Sequence, residues 1–210
     1  MGDASRMERQ TGTRMAGRSL SLAELIRDEY RFVRGWVGNR KSIGAVSPSS
    51  RALARLMVKQ ADPDPSGYTL ELGPGTGVFT QALIDAGIPA GRIIAVEHND
   101  EFCRLLAKRF PALNVVQGDA FDLDKTLAAY NGTRFSAALS GLPLLSFPKP
   151  LRLKCVEAVL DRLAPGRGMI QFSYGPNGPV EAIRGRIAVT KSKWVLMNLP
   201  PARVWTYRRP

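Results

Sequence analysis

The stretch Glu71-Leu72-Gly73-Pro74-Gly75-Thr76-Gly77 decides how the surrounding chain folds. It ends the apolar run 68–72, which is typical of a buried strand, and it precedes residues 78–86, whose pattern predicts a helix. Glycines at alternate positions let the backbone turn tightly and approach a ligand closely. The order of strand, glycine-rich turn and helix predicts one unit of a parallel sheet, with a ligand at the turn.

The same alternation of strands and helices continues along the chain. Helices are predicted at residues 51–60, 78–86, 101–110, 124–130 and 151–163. Strands are predicted at residues 68–72, 93–97, 114–117, 135–140, 169–174, 194–198 and 203–207. This order predicts an α/β fold with a doubly wound, mostly parallel, seven-stranded Rossmann-like sheet and an antiparallel pair of strands at its C-terminal end.

The chemistry of the strand ends predicts the ligand. The spacing is GxGxG, not the GxGxxG typical of dinucleotide sites, and Glu71 suits a cationic ligand better than a pyrophosphate. S-adenosylmethionine carries a sulfonium and an ammonium and no phosphate, so it is the predicted cofactor. Glu97 ends the second strand, where a carboxylate accepts from ribose hydroxyls, and Asp119 follows the third strand, beside the adenine. The predicted cofactor-binding residues are Ser47, Glu71, Gly73, Gly75, Thr76, Gly77, Glu97, His98, Asp119, Ala120 and Ser140.

Residues 44–175 resemble the class I methyltransferases, and the end of the fourth strand predicts their acceptor. Members that methylate amino groups of DNA or ribosomal RNA carry an Asn-Pro-Pro-Tyr type motif there, whose aromatic ring stacks on the flipped base. This chain has Ser140-Gly141-Leu142-Pro143 followed by Leu144, without the amide or the aromatic ring. An apolar lip of this kind suits an acyl chain.

Four separated segments carry a closer resemblance. They are GAVSPSSRALARLM (44–57), SGLPLLSFP (140–148), QFSYGPNGPV (171–180) and NLPPARVW (198–205). Together they resemble the bacterial phospholipid N-methyltransferases, over about residues 20–210. The resemblance implies that phosphatidylethanolamine is methylated stepwise, through its mono- and dimethyl forms, towards phosphatidylcholine. It also implies a peripheral enzyme at the inner, anionic face of the cytoplasmic membrane.

The basic ends of the chain predict how it meets that membrane. The net charge is +12, and residues 184–210 contain seven Lys or Arg and no acid. Residues 1–18 are predicted to be a mobile basic tail and residues 19–43 an amphipathic, membrane-associating helix, followed by a methyltransferase domain at 44–210. The residues predicted to meet lipid or membrane are Arg27, Arg31, Arg34, Trp36, Gly141, Leu142, Pro143 and Leu144. The alternative is an ordinary solvated basic surface.

The candidate catalytic residues are Tyr30, Tyr174 and Ser140. Methyl transfer to an amine depends mainly on positioning, and aromatic rings also attract an ammonium group. Simple packing is the alternative for both tyrosines.

Other classes of site are disfavoured by composition. His98 is the only histidine, and the two cysteines lie far apart, so no metal site is predicted and the thiols are expected to be reduced in the cytoplasm. Two further interpretations remain: a ribosomal RNA adenine N6-dimethyltransferase and a non-catalytic RNA-binding relative. The missing Asn and Tyr oppose the first and the intact glycine turn opposes the second, so no nucleic acid partner is expected.

Overall fold

Seven strands form one sheet in the computed structural model, which describes residues 50–210. They are β1 (Tyr68–Leu72), β2 (Ile93–Glu97), β3 (Asn114–Gln117), β4 (Phe135–Ser140), β5 (Gly168–Ser173), β6 (Ala188–Lys191) and β7 (Arg203–Arg208). Their order across the sheet is β3-β2-β1-β4-β5-β7-β6. Strands β1 to β5 run parallel, and β7 is antiparallel to both of its neighbours.

Within residues 50–210, five α-helices connect the parallel strands or precede them. They are α1 (Arg51–Ala61), α2 (Val78–Asp85), α3 (Asp100–Arg109), α4 (Leu123–Thr126) and α5 (Lys149–Leu160). Ser50 caps α1, since its side chain accepts a hydrogen bond from the Leu53 amide, and Asn99 caps α3 in the same way through the Phe102 amide. These caps satisfy amides that have no partner inside the helix.

The core occupies both faces of the sheet. Every residue of β2 and β4 is buried, as expected for central parallel strands covered by helices on both sides. One face packs on α1 and α2 through side chains such as Leu53, Met57 and Leu83. The buried strands hold their carboxyl ends in fixed positions, and this edge carries the candidate site.

The predicted fold is confirmed with two differences in its elements. The strand predicted at 194–198 is wrong: only an isolated bridge joins Val195 to Ala202, and the strand that precedes β7 is β6, Ala188–Lys191. This edge strand is short and mostly exposed, so it lacks the alternating apolar pattern that marks a strand. The helix predicted at 124–130 is also shorter, because α4 ends at Thr126 and a separate 3₁₀ turn follows.

Several predictions lie outside the described residues. They are the tail at 1–18, the helix at 19–43, and the roles of Arg27, Tyr30, Arg31, Arg34, Trp36 and Ser47. Between residues 50 and 210, no helix combines the length and the apolar character needed to cross a bilayer.

Candidate functional site

The register of the parallel strands brings the predicted site residues to one edge of the sheet. Leu72, the last residue of β1, lies beside Val96 of β2 and beside Ser140 of β4. The residues that follow these three positions therefore become neighbours. They are the glycine turn, the end of β2 at Glu97 and the segment that begins at Gly141.

The glycine turn has one packed side and one open side. Gly73, Gly75 and Gly77 have φ angles of 63°, 54° and 81°, which side chains rarely allow. A Cβ at Gly77 would lie 2.6 Å from the Phe110 ring, whereas a Cβ at Gly75 would meet no atom within 4 Å. This open side of the turn, at Gly75, is the predicted position of the cofactor.

Gly75→Ala is expected to lower the affinity for the cofactor strongly and the free energy of unfolding only slightly. The new methyl group would enter the open space rather than the core, and the positive φ would add a strain of about 1 kcal/mol. Calorimetry with S-adenosylhomocysteine measures the effect. Gly166→Ala is the matched control, because Gly166 also has a positive φ (75°) and an open Cβ position but precedes β5, at the opposite edge. Equal affinity in the two variants would contradict the placement of the cofactor.

Glu97 ties the end of β2 to the glycine turn. One oxygen of its buried carboxylate accepts a hydrogen bond from the Gly75 amide at 3.1 Å, and the other accepts from the Asn99 amide at 2.9 Å. These bonds hold the carboxylate at the position predicted for contact with ribose hydroxyls. Carboxylate oxygens accept more than one hydrogen bond each, so the amides leave capacity for a ligand.

Glu71 lies beneath the turn and is fully buried. One carboxylate oxygen accepts from the Thr80 hydroxyl at 2.7 Å, and the other, Oε1, accepts from no described residue. The pKa of Glu71 is raised from 4.5 to about 7, mainly by burial; hydrogen bonding with Thr80 lowers it, and the nearby Glu97 adds a smaller rise. A buried carboxylate with an oxygen lacking a partner fits a cationic ligand, so the residues present fit S-adenosylmethionine.

The raised pKa of Glu71 predicts a pH-dependent stability. Between about pH 4.5 and 7 the folded protein holds a proton on Glu71 that the unfolded chain releases, so the free energy of unfolding falls as the pH rises through this window and levels off above it. The loss is on the order of 3 kcal/mol. Urea unfolding of wild type and Glu71→Gln at pH 4.5 and 8 tests this. The same difference between the two proteins at both pH values would contradict it.

The other predicted cofactor residues that follow β2 and β3 differ in their exposure. Asp119 is half-buried, and one of its carboxylate oxygens accepts from the Phe121 amide at 2.8 Å. Its carbonyl accepts from the Thr126 hydroxyl, which fixes the loop after β3. Ala120 is buried and His98 is exposed. These placements leave the predicted roles of Asp119, Ala120 and His98 in cofactor binding as predictions.

The segment after β4 packs directly on the glycine turn. A Cβ at Gly141 would lie 2.6 Å from the Gly73 carbonyl oxygen, and the Leu142 side chain covers Gly73 from above. The buried hydroxyl of Ser140 accepts a hydrogen bond from the Leu142 amide at 3.3 Å, and Gln171 donates to the Leu142 carbonyl at 2.9 Å. Residues 140–143, the acceptor segment, therefore adjoin the predicted cofactor position.

The exposed leucine after Pro143 is Leu145, not Leu144 as predicted. Leu144 is 1% exposed, whereas Leu145 is 38% exposed. Leu144 thus packs inside the domain, and Leu145 presents the apolar surface next to the half-buried Pro143.

Tyr174 directly follows β5 at the same edge and is partly exposed. Its ring meets the Phe172 ring edge-on, with centroids 5.5 Å apart. Burial raises the pKa of its hydroxyl, and a hydrogen bond with Asn198 acts in the opposite direction. The phenol is therefore protonated at neutral pH, and its ring packs on Phe172 at the edge where the parallel strands end.

Asn198 is a central residue of this edge, and no role was predicted for it from the sequence. It is fully buried, accepts from the Ser50 amide at 2.7 Å and donates to the Pro200 carbonyl at 2.8 Å. It thus joins the start of α1, the end of β5 and the connection between β6 and β7. The signal in the sequence was the segment NLPPARVW, which carried the family resemblance without a role for its asparagine.

The described residues contain no group of three or more metal-binding side chains. Burial raises the pKa of Cys103 to about 11 and that of Cys155 to about 12, so both thiols are protonated at neutral pH.

The chain is similar to known methyltransferases in sequence and in fold. No family model matches the chain. The chain is 32% identical to the ornithine lipid N-methyltransferase of Singulisphaera acidiphila over 186 residues, which cover 87% of this chain and 97% of that protein. It is 38% identical to ribosomal RNA small subunit methyltransferase A of a Synechococcus species over 92 residues, which cover 42% of this chain and 29% of that protein.

Solved structures show the same fold. The O-methyltransferase from Bacillus cereus, in complex with SAH, has a TM-score of 0.59 at 15% identity and covers 89% of this chain and 90% of its own. TrmN from Thermus thermophilus has a TM-score of 0.60 at 16% identity, over 78% of this chain and 50% of its own. The similarity to the lipid enzyme extends over nearly the full length of both chains, and the glycine turn is intact. The chain therefore belongs to the lipid N-methyltransferases, S-adenosylmethionine-dependent enzymes of the class I methyltransferase fold.

Proposed function

We propose that this protein methylates the amine of phosphatidylethanolamine stepwise, through the mono- and dimethyl forms, towards phosphatidylcholine. The observation that carries the proposal is the acceptor segment, which packs on the glycine turn and presents apolar side chains instead of an amide and a stacking ring. A nucleobase would find no side-chain amide or stacking ring there, whereas an aliphatic lipid chain loses nothing by meeting Pro143 of the segment and Leu145 just beyond it.

The residues of the site act mainly by positioning. Bound S-adenosylmethionine supplies the methyl group. The glycine turn and Glu97 hold one reactant, and Gly141 and Leu142 form the wall between it and the other. The Ser140 hydroxyl is engaged with the Leu142 amide, so Ser140 shapes the acceptor segment. The ring of Tyr174 offers a face to the acceptor ammonium, whose charge persists as methyl groups are added. Positioning of this kind supplies about 7–11 kcal/mol of a barrier.

Ornithine lipid is the second candidate acceptor. It is the lipid in the name of the relative that this chain matches over nearly its whole length. Both lipids present a primary amine beside acyl chains, so the apolar character of the acceptor segment suits either. The two differ in the anionic group near the amine, which is a phosphate in one and a carboxylate in the other.

The proposed enzyme works at the inner face of the cytoplasmic membrane. Residues 19–43 lie outside the described part, and we propose that their helix binds the anionic surface through Arg27, Arg31 and Arg34 beside Trp36 and Tyr30. Each arginine near such a surface contributes about 1 kcal/mol.

Replacing Arg27, Arg31 and Arg34 by glutamate is expected to lower co-sedimentation with phosphatidylglycerol vesicles at least 100-fold at low salt. The loss should shrink as salt screens the surface. Co-sedimentation equal to that of the wild type would remove this helix from the proposal.

Methylation of mixed substrates tests the proposed function. The full chain is incubated with radiolabelled S-adenosylmethionine, vesicles of phosphatidylethanolamine, ornithine lipid and phosphatidylglycerol, and structured ribosomal RNA. Chromatography of the lipids identifies the acceptor, and counting of precipitated RNA tests the rival activity. Label in phosphatidylethanolamine derivatives is the expected result, and label in ornithine lipid alone would move the proposal to that acceptor. Label in RNA with none in lipid would overturn it.

A further inference from the structure

The connection between β6 and β7 presents an apolar surface to solvent. In residues 194–199, the apolar loop, Leu196 is 77% exposed, Met197 83% and Leu199 70%. Single exposed apolar side chains are common on proteins, but three large ones within four residues form a patch that marks an interaction site.

The apolar loop is held in its shape by specific contacts. The Val195 amide donates to the Ala202 carbonyl at 2.8 Å, and the Asn198 amide donates to the Val195 carbonyl at 3.2 Å. The buried side chain of Asn198 fixes the middle of the loop to Ser50 and Pro200. The exposed side chains are therefore presented outward by a built turn.

Basic residues surround the apolar loop. Lys191 and Lys193 precede it and are exposed, and the guanidinium of Arg203 lies 4.5 Å from the centre of the Trp194 ring. No acidic residue occurs between positions 184 and 210. Apolar side chains flanked by lysine, arginine and tryptophan are typical of segments that sit in the interface of an anionic bilayer.

The position of the loop connects it to the site. Arg203, at the start of β7, pairs with Ser173 at the end of β5, so the loop lies at the edge where the parallel strands end. Tyr174 follows Ser173, and its hydrogen bond with Asn198 joins the site to the loop. A surface that receives this loop would meet the domain next to the acceptor segment.

We propose that the apolar loop inserts into the interfacial region of a bilayer that contains anionic lipid. Lys191, Lys193 and Arg203 contact the headgroups, while Leu196, Met197 and Leu199 enter the acyl boundary. The inference rests on the proposed lipid substrate, and it adds the surface on which the catalytic domain sits. The loop thereby brings the acceptor segment to the depth of the lipid amine.

Replacing the exposed apolar side chains of the loop tests the proposal. The double variant Leu196→Asp, Met197→Asp is expected to bind vesicles of phosphatidylethanolamine and phosphatidylglycerol at least about tenfold more weakly than the wild type, because it carries two charges into the acyl boundary. Leu105→Asp is the matched control, since Leu105 is 41% exposed on α3, outside the loop. Equal vesicle binding by the double variant and the wild type would overturn the proposal.

A probe on the loop reports insertion directly. Met197→Cys labelled with an environment-sensitive dye is expected to shift to the blue when vesicles are added and to be quenched by spin-labelled lipids. The native thiols of Cys103 and Cys155 are buried, so labelling favours position 197. A dye that does not respond to vesicles contradicts insertion. A dye already shielded without vesicles shows that the chain itself or a second copy covers the loop, and also contradicts it.

Turnover separates this inference from the proposed function. With a short-chain phosphatidylethanolamine below its critical micelle concentration, the double variant should keep the wild-type rate, because no surface is needed. With vesicles, its rate should fall in parallel with its binding. If the wild type methylates neither form of the lipid, the proposed function fails while the dye still reports insertion. If the double variant matches the wild type on vesicles, the loop proposal fails and the function stands.

Discussion

Glu97→Ala is expected to raise the dissociation constant for S-adenosylhomocysteine at least about 100-fold. Glu97 is buried at the end of β2, and its two oxygens are directed by the amides of Gly75 and Asn99. Hydrogen bonds to a charged acceptor contribute about 1.5–3 kcal/mol each, and a ribose offers two hydroxyl donors. The variant also releases the Gly75 amide, so the glycine turn keeps only the bond from the Gly73 amide to the Val96 carbonyl of β2, at 2.9 Å. Calorimetry measures the constant.

Two comparisons make the Glu97 result specific. Glu101→Ala removes an exposed carboxylate from the first turn of α3 and is expected to leave the dissociation constant unchanged. Glu97→Gln keeps the size of the side chain and one good acceptor, so its affinity should fall between those of the wild type and Glu97→Ala. An affinity of Glu97→Ala within threefold of the wild type would show that the ligand does not meet the end of β2.

Gly141→Ala is expected to lower methyl transfer at least about 100-fold and stability by about 1–3 kcal/mol. The new Cβ would lie 2.6 Å from the Gly73 carbonyl oxygen and 3.4 Å from the Phe79 ring. A backbone oxygen cannot swing away as a side chain does, so the two loops must separate. Overpacking of this kind destabilises a fold, and a displacement of about 1 Å between reactants costs about two orders of magnitude in rate. Thermal unfolding and turnover with lipid vesicles measure both effects.

Gly91→Ala is the control for added bulk. A Cβ at Gly91 would lie 3.6 Å from the Ala112 carbonyl oxygen, an ordinary contact, so stability and turnover should stay close to those of the wild type. If Gly141→Ala unfolds at the wild-type temperature and turns over at the wild-type rate, the acceptor segment does not depend on its contact with Gly73.

Most of the parallel sheet was predictable because its signals are local. β1, β2 and β4 are short, mostly apolar runs, and the closely spaced glycines that follow β1 indicate a turn. β6 could not be predicted in this way. Its residues are mostly exposed, and it is a strand because it pairs with β7, which follows it after the connection 192–202. Tertiary pairing, rather than its own pattern, makes this segment extended.

The site was predictable where a residue acts through its position at a strand end. Glu71 and Glu97 could be assigned because parallel strands place their carboxyl ends together. Asn198 could not, since its partners at Ser50 and Tyr174 are distant in sequence. The exposure of Leu145 rather than Leu144 was equally hidden, because a 3₁₀ turn at Leu144–Ser146 sets which side chain faces inward.

The contact between Gly141 and the Gly73 carbonyl has a consequence for equilibrium binding. A ligand that shifts the glycine turn also shifts the wall of the neighbouring acceptor segment, so the two affinities are thermodynamically linked. Linkage is reciprocal: the factor by which S-adenosylhomocysteine changes the affinity for a lipid amine equals the factor by which that amine changes the affinity for S-adenosylhomocysteine. In the proposed site, the contact between these two glycines thus couples the equilibrium affinities for the spent cofactor and for the methylated lipid.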